Sequence, residues 1–195
     1  MKLTFALVAA LLAVAGNLPY LIDIVKKRVQ PHAYSWFVWS IVSAITFFGQ
    51  VAKGAGVGAI PTAASEIFTI IIFFFSLRYG FKKITKTDNL FLILALVSLI
   101  PWLITKDPTL SIIIVVTIDL LAFTPTLRKT WRYPKSETPT LYLMNVLRHT
   151  LALFSLQAYN IATTLHAIAM ITVNSFMTIL TTRGNTKKVK IQLPA

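Results

Sequence analysis

Ionisable side chains inside long apolar runs are where chemistry would sit in this sequence. Glu66 lies within AASEIFTIIIFFF, Asp119 within IIIVVTIDLLAF, Arg148 and His149 within LMNVLRHTLALF, and His166 within ATTLHAIAMI. In a helix surrounded by lipid, a charge at mid-depth costs about 2.5–3.5 kcal/mol on insertion scales, so each such residue needs a partner or a task. A carboxylate such as Glu66 suits a cation, an amine or a proton, whereas the amide of Asn174 offers donors and an acceptor to a neutral polar solute. Asp119 and Arg148 sit near the middle of consecutive apolar runs and are expected to form a buried ion pair. His166 shares its run with Asn174 and could titrate near neutral pH, while His149 reads as a hydrogen-bonded packing residue. Asp23 falls close to Lys26 and Lys27, which suggests a pair at a membrane interface. The plainer alternative for Glu66 is similar, a carboxylate held near the opposite interface by Lys53.

Smaller polar residues fall at helical spacing around these groups. Ser40, Ser43, Phe47 and Gln50 share one face, and Thr62, Glu66 and Thr69 share another. Hydroxyl groups in such positions serve close helix contacts as readily as solute binding. Glu66, Asn174, Thr69, Ser43 and His166 form the expected solute-binding set. The chain has no cysteine, which excludes disulfides, thiolate chemistry and cysteine-based metal sites. No nucleophile–base pair or metal-ligand cluster is visible, so neither an enzyme nor a cofactor is expected. The Gly54-Ala-Gly56-Val-Gly58 run lacks the Lys-Ser/Thr and the strand of a phosphate loop, and reads as a flexible connection.

The elements that must position these residues are apolar helices. Of 195 residues, 56% are hydrophobic and only 13% charged, a balance suited to lipid solvation. At about 20 residues per span, seven candidates emerge: Leu3–Val25, Tyr34–Val51, Ile60–Tyr79, Leu90–Ile104, Thr109–Leu127, Thr140–Leu156 and Ile161–Thr181. The first resembles a signal peptide in its opening, but its apolar run continues past Gly16 and is taken as an uncleaved span. The net charge of +13 comes in short clusters between spans, which points to anionic lipid headgroups and not to nucleic acid. Fifteen lysines and arginines fall in alternate connections and the tail, against Lys2, Lys53 and Lys106 on the other side. That asymmetry predicts an outside N-terminus and a cytoplasmic C-terminus. The lack of an Asn-x-Ser/Thr sequon fits a bacterial inner membrane.

An internal repeat organises the spans. Residues 31–75 laid on 139–183 pair Pro31 with Pro139, Tyr34 with Tyr142, Val38 with Val146, Ala44 with Ala152, Ala59 with Ala167, Ile60 with Ile168, Phe68 with Phe176 and Ile71 with Ile179. The same offset sets Glu66 opposite Asn174, and upstream Pro19 matches Pro125 after a two-residue insertion in the later connection. Three spans, a single separating span and three more give two units running in the same direction.

This arrangement, with Asn17-Leu18-Pro19-Tyr20 and Phe123-Thr124-Pro125-Thr126 at corresponding span ends, resembles the PQ-loop superfamily and within it the SWEET and SemiSWEET transporters. The glutamine that follows the proline in that superfamily is Tyr20 in one copy and Thr126 in the other. Pro31 and Pro139 sit at helix starts, where SWEETs carry a proline inside the second helix of each bundle. The resemblance implies an all-α membrane fold of 3+1+3 helices: a first bundle over 1–86, a linker helix over 87–108, a second bundle over 109–183 and a cytoplasmic tail over 184–195. It further implies that Glu66 and Asn174 face one another across a pseudo-two-fold axis, and that a small polar solute moves by alternating access. Replacing an amide by Glu66 argues against a simple neutral-sugar site and raises proton linkage. Pro19 and Pro125 are expected hinges, because proline removes a helix hydrogen bond. A non-transporting receptor or scaffold of PQ-loop type is the rival reading, and homo-oligomerisation is left open. Trp36, Trp39, Trp102, Trp131, Tyr79 and Tyr133 are expected in interfacial belts.

Overall fold

A computed structural model describes residues 1–27, 31, 33–80, 86–132 and 139–183. The tail, Tyr133 and basic residues such as Arg28, Lys82, Lys83 and Lys135 lie outside the described residues, as do the side chains of Asp23, Pro125, Arg128, Lys129 and Arg132. Every regular element among the described residues is helical: α1 (Lys2–Val25), α2 (Ala33–Ala52), α3 (Ile60–Tyr79), α4 (Lys86–Val97), α5 (Leu99–Thr105), α6 (Thr109–Arg132), α7 (Pro139–Ser155) and α8 (Ile161–Arg183). Three stretches are long and apolar enough to cross a membrane, Lys2–Ile22, Gly56–Tyr79 and Ile161–Thr182, and three shorter apolar helices accompany them.

The expected fourth span is two helices. Pro101 has no N–H to give the Val97 carbonyl and its ring crowds that group, so the chain turns at Ser98 and α5 restarts with the proline in its first turn. Ser98 is fully buried, and its hydroxyl donates to the Ala95 carbonyl at 2.6 Å. Elsewhere a helix outruns the apolar pattern. α6 continues past Leu127 to Arg132, whereas α1 ends at Val25 as expected; both helices run through their prolines, Pro125 and Pro19, so neither proline ends its helix.

Packing follows a repeated order. α3 packs against both α1 and α2, and α8 against both α6 and α7, while α1 and α7 form a further broad contact. α4 and α5 lie along α2 and α6. The close approach of α1 rests on Ala6, Ala9 and Ala13, which are almost completely buried; small side chains let helix backbones come near without a void. By contrast, Leu11, Phe74, Leu103 and Ile104 are each more than 60% exposed, an outward apolar surface larger than water tolerates on an ordinary domain.

The Gly54–Gly58 connection is a packed turn and not the open loop expected. Gly54 and Gly56 take φ of 78° and 57°, a region that favours glycine. Residues Gly56–Ala59 then form a 3-10 turn whose Gly58 and Ala59 are buried. A Cβ on Gly58 would lie 2.6 Å from Leu156 Cα and 2.9 Å from its nitrogen. Because the clash is with backbone, Gly58→Ala is expected to lower stability by about 1–3 kcal/mol, seen as a reduced Tm in detergent. Gly16→Ala, with nothing within 4 Å of the added atom, is the matched control and should not lower Tm.

Candidate functional site: a central polar cavity

A cavity of about 670 Å³ lies among α1, α2, α3, α6, α7 and α8. Helical spacing assigns each wall. On α7, Tyr142, Asn145, Arg148, His149 and Ala152 fall at intervals of three and four and all face the cavity. On α3 the corresponding face is Thr62, Ser65 and Thr69, and on α1 it is Leu12, Ala13, Gly16, Asn17 and Tyr20. α2 contributes Trp36, Trp39, Ser43 and Thr46, α6 contributes Asp119 and Phe123, and α8 contributes His166 and Met170.

A polar chain crosses this space. Arg148 Nη1 donates to Ser65 Oγ on α3, and Arg148 Nη2 meets His149 Nε2 at 2.9 Å. Guanidinium nitrogens only donate, so His149 Nε2 accepts. The His149 and His166 rings meet edge to face with centroids 5.4 Å apart, and His166 Nε2 lies 3.6 Å from Asp119 Oδ2. Four helices are thereby connected through side chains that would each be costly facing lipid.

Of the expected solute contacts, the structure brings Ser43, Thr69 and His166 to the cavity wall. Glu66 and Asn174 stand just behind it. The Glu66 carboxyl is buried against the Ser43 hydroxyl, with Oε2 lacking a hydrogen-bond partner. Asn174 Nδ2 donates to the Met170 carbonyl at 2.7 Å, and its Oδ1 is likewise unpartnered. The expected ion pair between Asp119 and Arg148 is not formed: both line the cavity, but Asp119 meets His166 and Arg148 meets Ser65 and His149. The reason is helix order, since α8 packs against both α6 and α7. Lys53 is not a partner of Glu66 either; it pairs with Asp107. Trp36 and Trp39, expected in an interfacial belt, line the cavity, with Tyr20 tilted against Trp36 at a ring-centroid distance of 5.6 Å. Asn17, Ser65 and Asn145 escaped the reading of charges alone, although the polar stripe on α7 is visible in its spacing.

One end of the bundle is sealed where the α2–α3, α5–α6 and α7–α8 connections meet. Thr62 Oγ1 donates to Gln50 Oε1 at 2.8 Å, and Gln50 Nε2 donates to the Thr163 carbonyl at 3.4 Å. The Gln157 N–H donates to the Ala55 carbonyl at 3.0 Å, and Asn160 Nδ2 to the Lys53 carbonyl at 3.0 Å. Beneath them Ala55, Ala59 and Leu156 form an apolar plug with Phe47 and Leu153. Lys53 Nζ reaches Asp107 Oδ2 at 2.5 Å.

Comparison with protein families, curated proteins and solved structures gives no match. Among the described residues no cluster of three or more metal-ligating side chains occurs.

The Lys53 ammonium and the Thr109 hydrogen bonds hold the Asp107 carboxyl at about 2, below its ordinary 3.8. A carboxyl lowered in the folded state contributes stability above its unfolded value and loses it as pH falls through the folded one. The coupling of Lys53 and Asp107, measured by a Lys53→Met/Asp107→Asn double-mutant cycle on Tm, should stay flat from about pH 8 to pH 5 and fade only below about pH 4. It should also shrink with added salt, because both side chains are partly exposed.

Proposed function

We propose that the chain is a polytopic membrane transporter that moves a small polar solute by alternating access. The observation that carries this reading is the central cavity, walled by helices from both sequence repeats, polar at mid-depth and sealed at one end. In this reading α4 and α5 together make one span, giving seven in a 3+1+3 arrangement. Two features support it: α3 and α8 occupy equivalent places against their neighbours, and the α1–α7 and α2–α6 contacts join the two groups in the manner of a pseudo-two-fold axis. The resemblance to PQ-loop and SWEET-like proteins is the same proposal stated as a family.

The positive-inside asymmetry puts the sealed end, with Lys53 and Lys106, outside. The present conformation is then closed to the exterior, in a bacterial inner membrane with the C-terminus in the cytoplasm. Pro19 and Pro125, inside α1 and α6, weaken corresponding turns where bending would open the other end. A receptor or scaffold would be expected to gather its polar groups at a mouth. Here Asp119 and Arg148 lie along the middle of their helices, which favours passage.

Uptake into proteoliposomes, screened over sugars, amino acids and vitamins with and without a proton gradient, tests the function; no saturable uptake of any class would defeat it. Because the chain has no cysteine, single cysteines report topology. A cysteine at Lys26 should react with an impermeant maleimide only from the cytoplasmic side and one at Lys106 only from outside; labelling of both from one side would refute the orientation. If Glu66 carries a proton during transport, Glu66→Gln should flatten the pH dependence of uptake, and an unchanged profile at normal expression would exclude that role.

A further inference from the structure

We infer that the solute held in this cavity carries a carboxylate, and that Arg148 is the residue that receives it. The inference rests on reading the cavity as a solute site and adds the chemical class.

Arg148 is the single cationic side chain of fixed charge on the cavity wall among the described residues. Its two hydrogen-bond partners, the Ser65 hydroxyl and His149 Nε2, are both neutral acceptors. No carboxylate among the described residues pairs with it: Asp119 lies against His166, Asp107 pairs with Lys53, and the Glu66 carboxyl is buried against the Ser43 hydroxyl with Oε2 unpartnered. The guanidinium has five N–H donors, of which two are used by Ser65 and His149; Nε is buried with no acceptor at all. A guanidinium keeps its charge in proteins, so a membrane-embedded arginine with neutral partners lacks its compensating anion. The free space beside it, about 670 Å³, is the size of a metabolite site.

The chemistry of the complement follows from the fork. Two parallel N–H donors match the two oxygens of a carboxylate in plane, and such charge-assisted pairs are about twice as strong as neutral hydrogen bonds. Ser65 on α3 and His149, the next residue on α7, each hold one arm of the fork, so it is oriented before the solute arrives. Asp119, which lines the same cavity from α6, disfavours a multiply charged phosphate and accommodates a solute that also carries an ammonium group. The aromatic side chains Tyr20, Trp36 and Phe123 offer surface to the remainder of the molecule.

Trp36 and Trp39 line the cavity, so binding is read by tryptophan fluorescence on the purified full chain in detergent, without any gradient. The probes are lactate and 3-phenylpropionate, each beside its own neutral amide, together with L-alanine and L-phenylalanine as carboxylates bearing an ammonium. The expected result is saturable quenching by at least one carboxylate with a Kd about tenfold or more below that of its amide. Arg148→Gln should abolish that preference and Arg148→Lys should retain part of it. Tighter binding of the amino acids than of the simple acids would assign the ammonium to Asp119, with the carboxylate still on Arg148. Equal affinity of acid and amide, or no saturable response to any carboxylate, overturns the proposal, and this comparison needs only the unaltered chain if Arg148→Gln fails to fold. Carboxylate binding without uptake would leave this inference standing and defeat transport; uptake of a neutral sugar with no preference for carboxylates would do the reverse.

Discussion

An arginine side chain set into an apolar helix dictates much of what surrounds it. Arg148 cannot shed its charge and cannot turn toward lipid without a cost of several kcal/mol, so α7 must present that face to other polar elements. Ser65 on α3 takes one donor and His149 another, and His166 and Asp119 continue the polar contact onto α8 and α6. The apolar outer surface and the polar centre are two results of the same exclusion. What an apolar surrounding would not accept collects where α3, α6, α7 and α8 converge.

The sealed end is built on a different principle. Its ion pair, Lys53 with Asp107, joins side chains that are 32% and 47% exposed, and exposed pairs contribute little. The closure relies more on Leu156 seated against Ala55, Ala59 and the bare backbone of Gly58, and on Gln50, which is 3% exposed and bonded in two directions. Parting an apolar plug under hydrogen-bonded connections would separate whole loops. Such a boundary can be broken and remade without stranding a charge in a dry place.

Helix positions were largely legible because long apolar runs bounded by charged and proline- or glycine-containing connections mark helices directly. The ends were less so, since basic residues after Pro125 that look like a connection are carried on α6. The break at Ser98 needed the geometric effect of Pro101 on the preceding turn and not hydropathy. For the site, the repeat alignment gave Glu66 and Asn174 equivalent depth, yet depth says nothing of rotation. A shift of one residue turns a side chain by about 100°, enough to put Ser65 on the cavity and Glu66 behind it. The ion pair expected of Asp119 and Arg148 came from treating consecutive helices as facing neighbours, whereas α8 is the helix both of their helices pack upon.

Pro19 has a second consequence besides loosening α1. Lacking an N–H, it leaves the Ala15 carbonyl without its usual donor, next to Gly16, which lines the cavity and has open space where a Cβ would stand. Ala15 and Pro19 are themselves exposed and stand outside the cavity wall, so the unmatched acceptor belongs to the outer face of α1. It is a main-chain group that no side-chain truncation at position 15 removes, and supplying an N–H at position 19 is the change that would satisfy it.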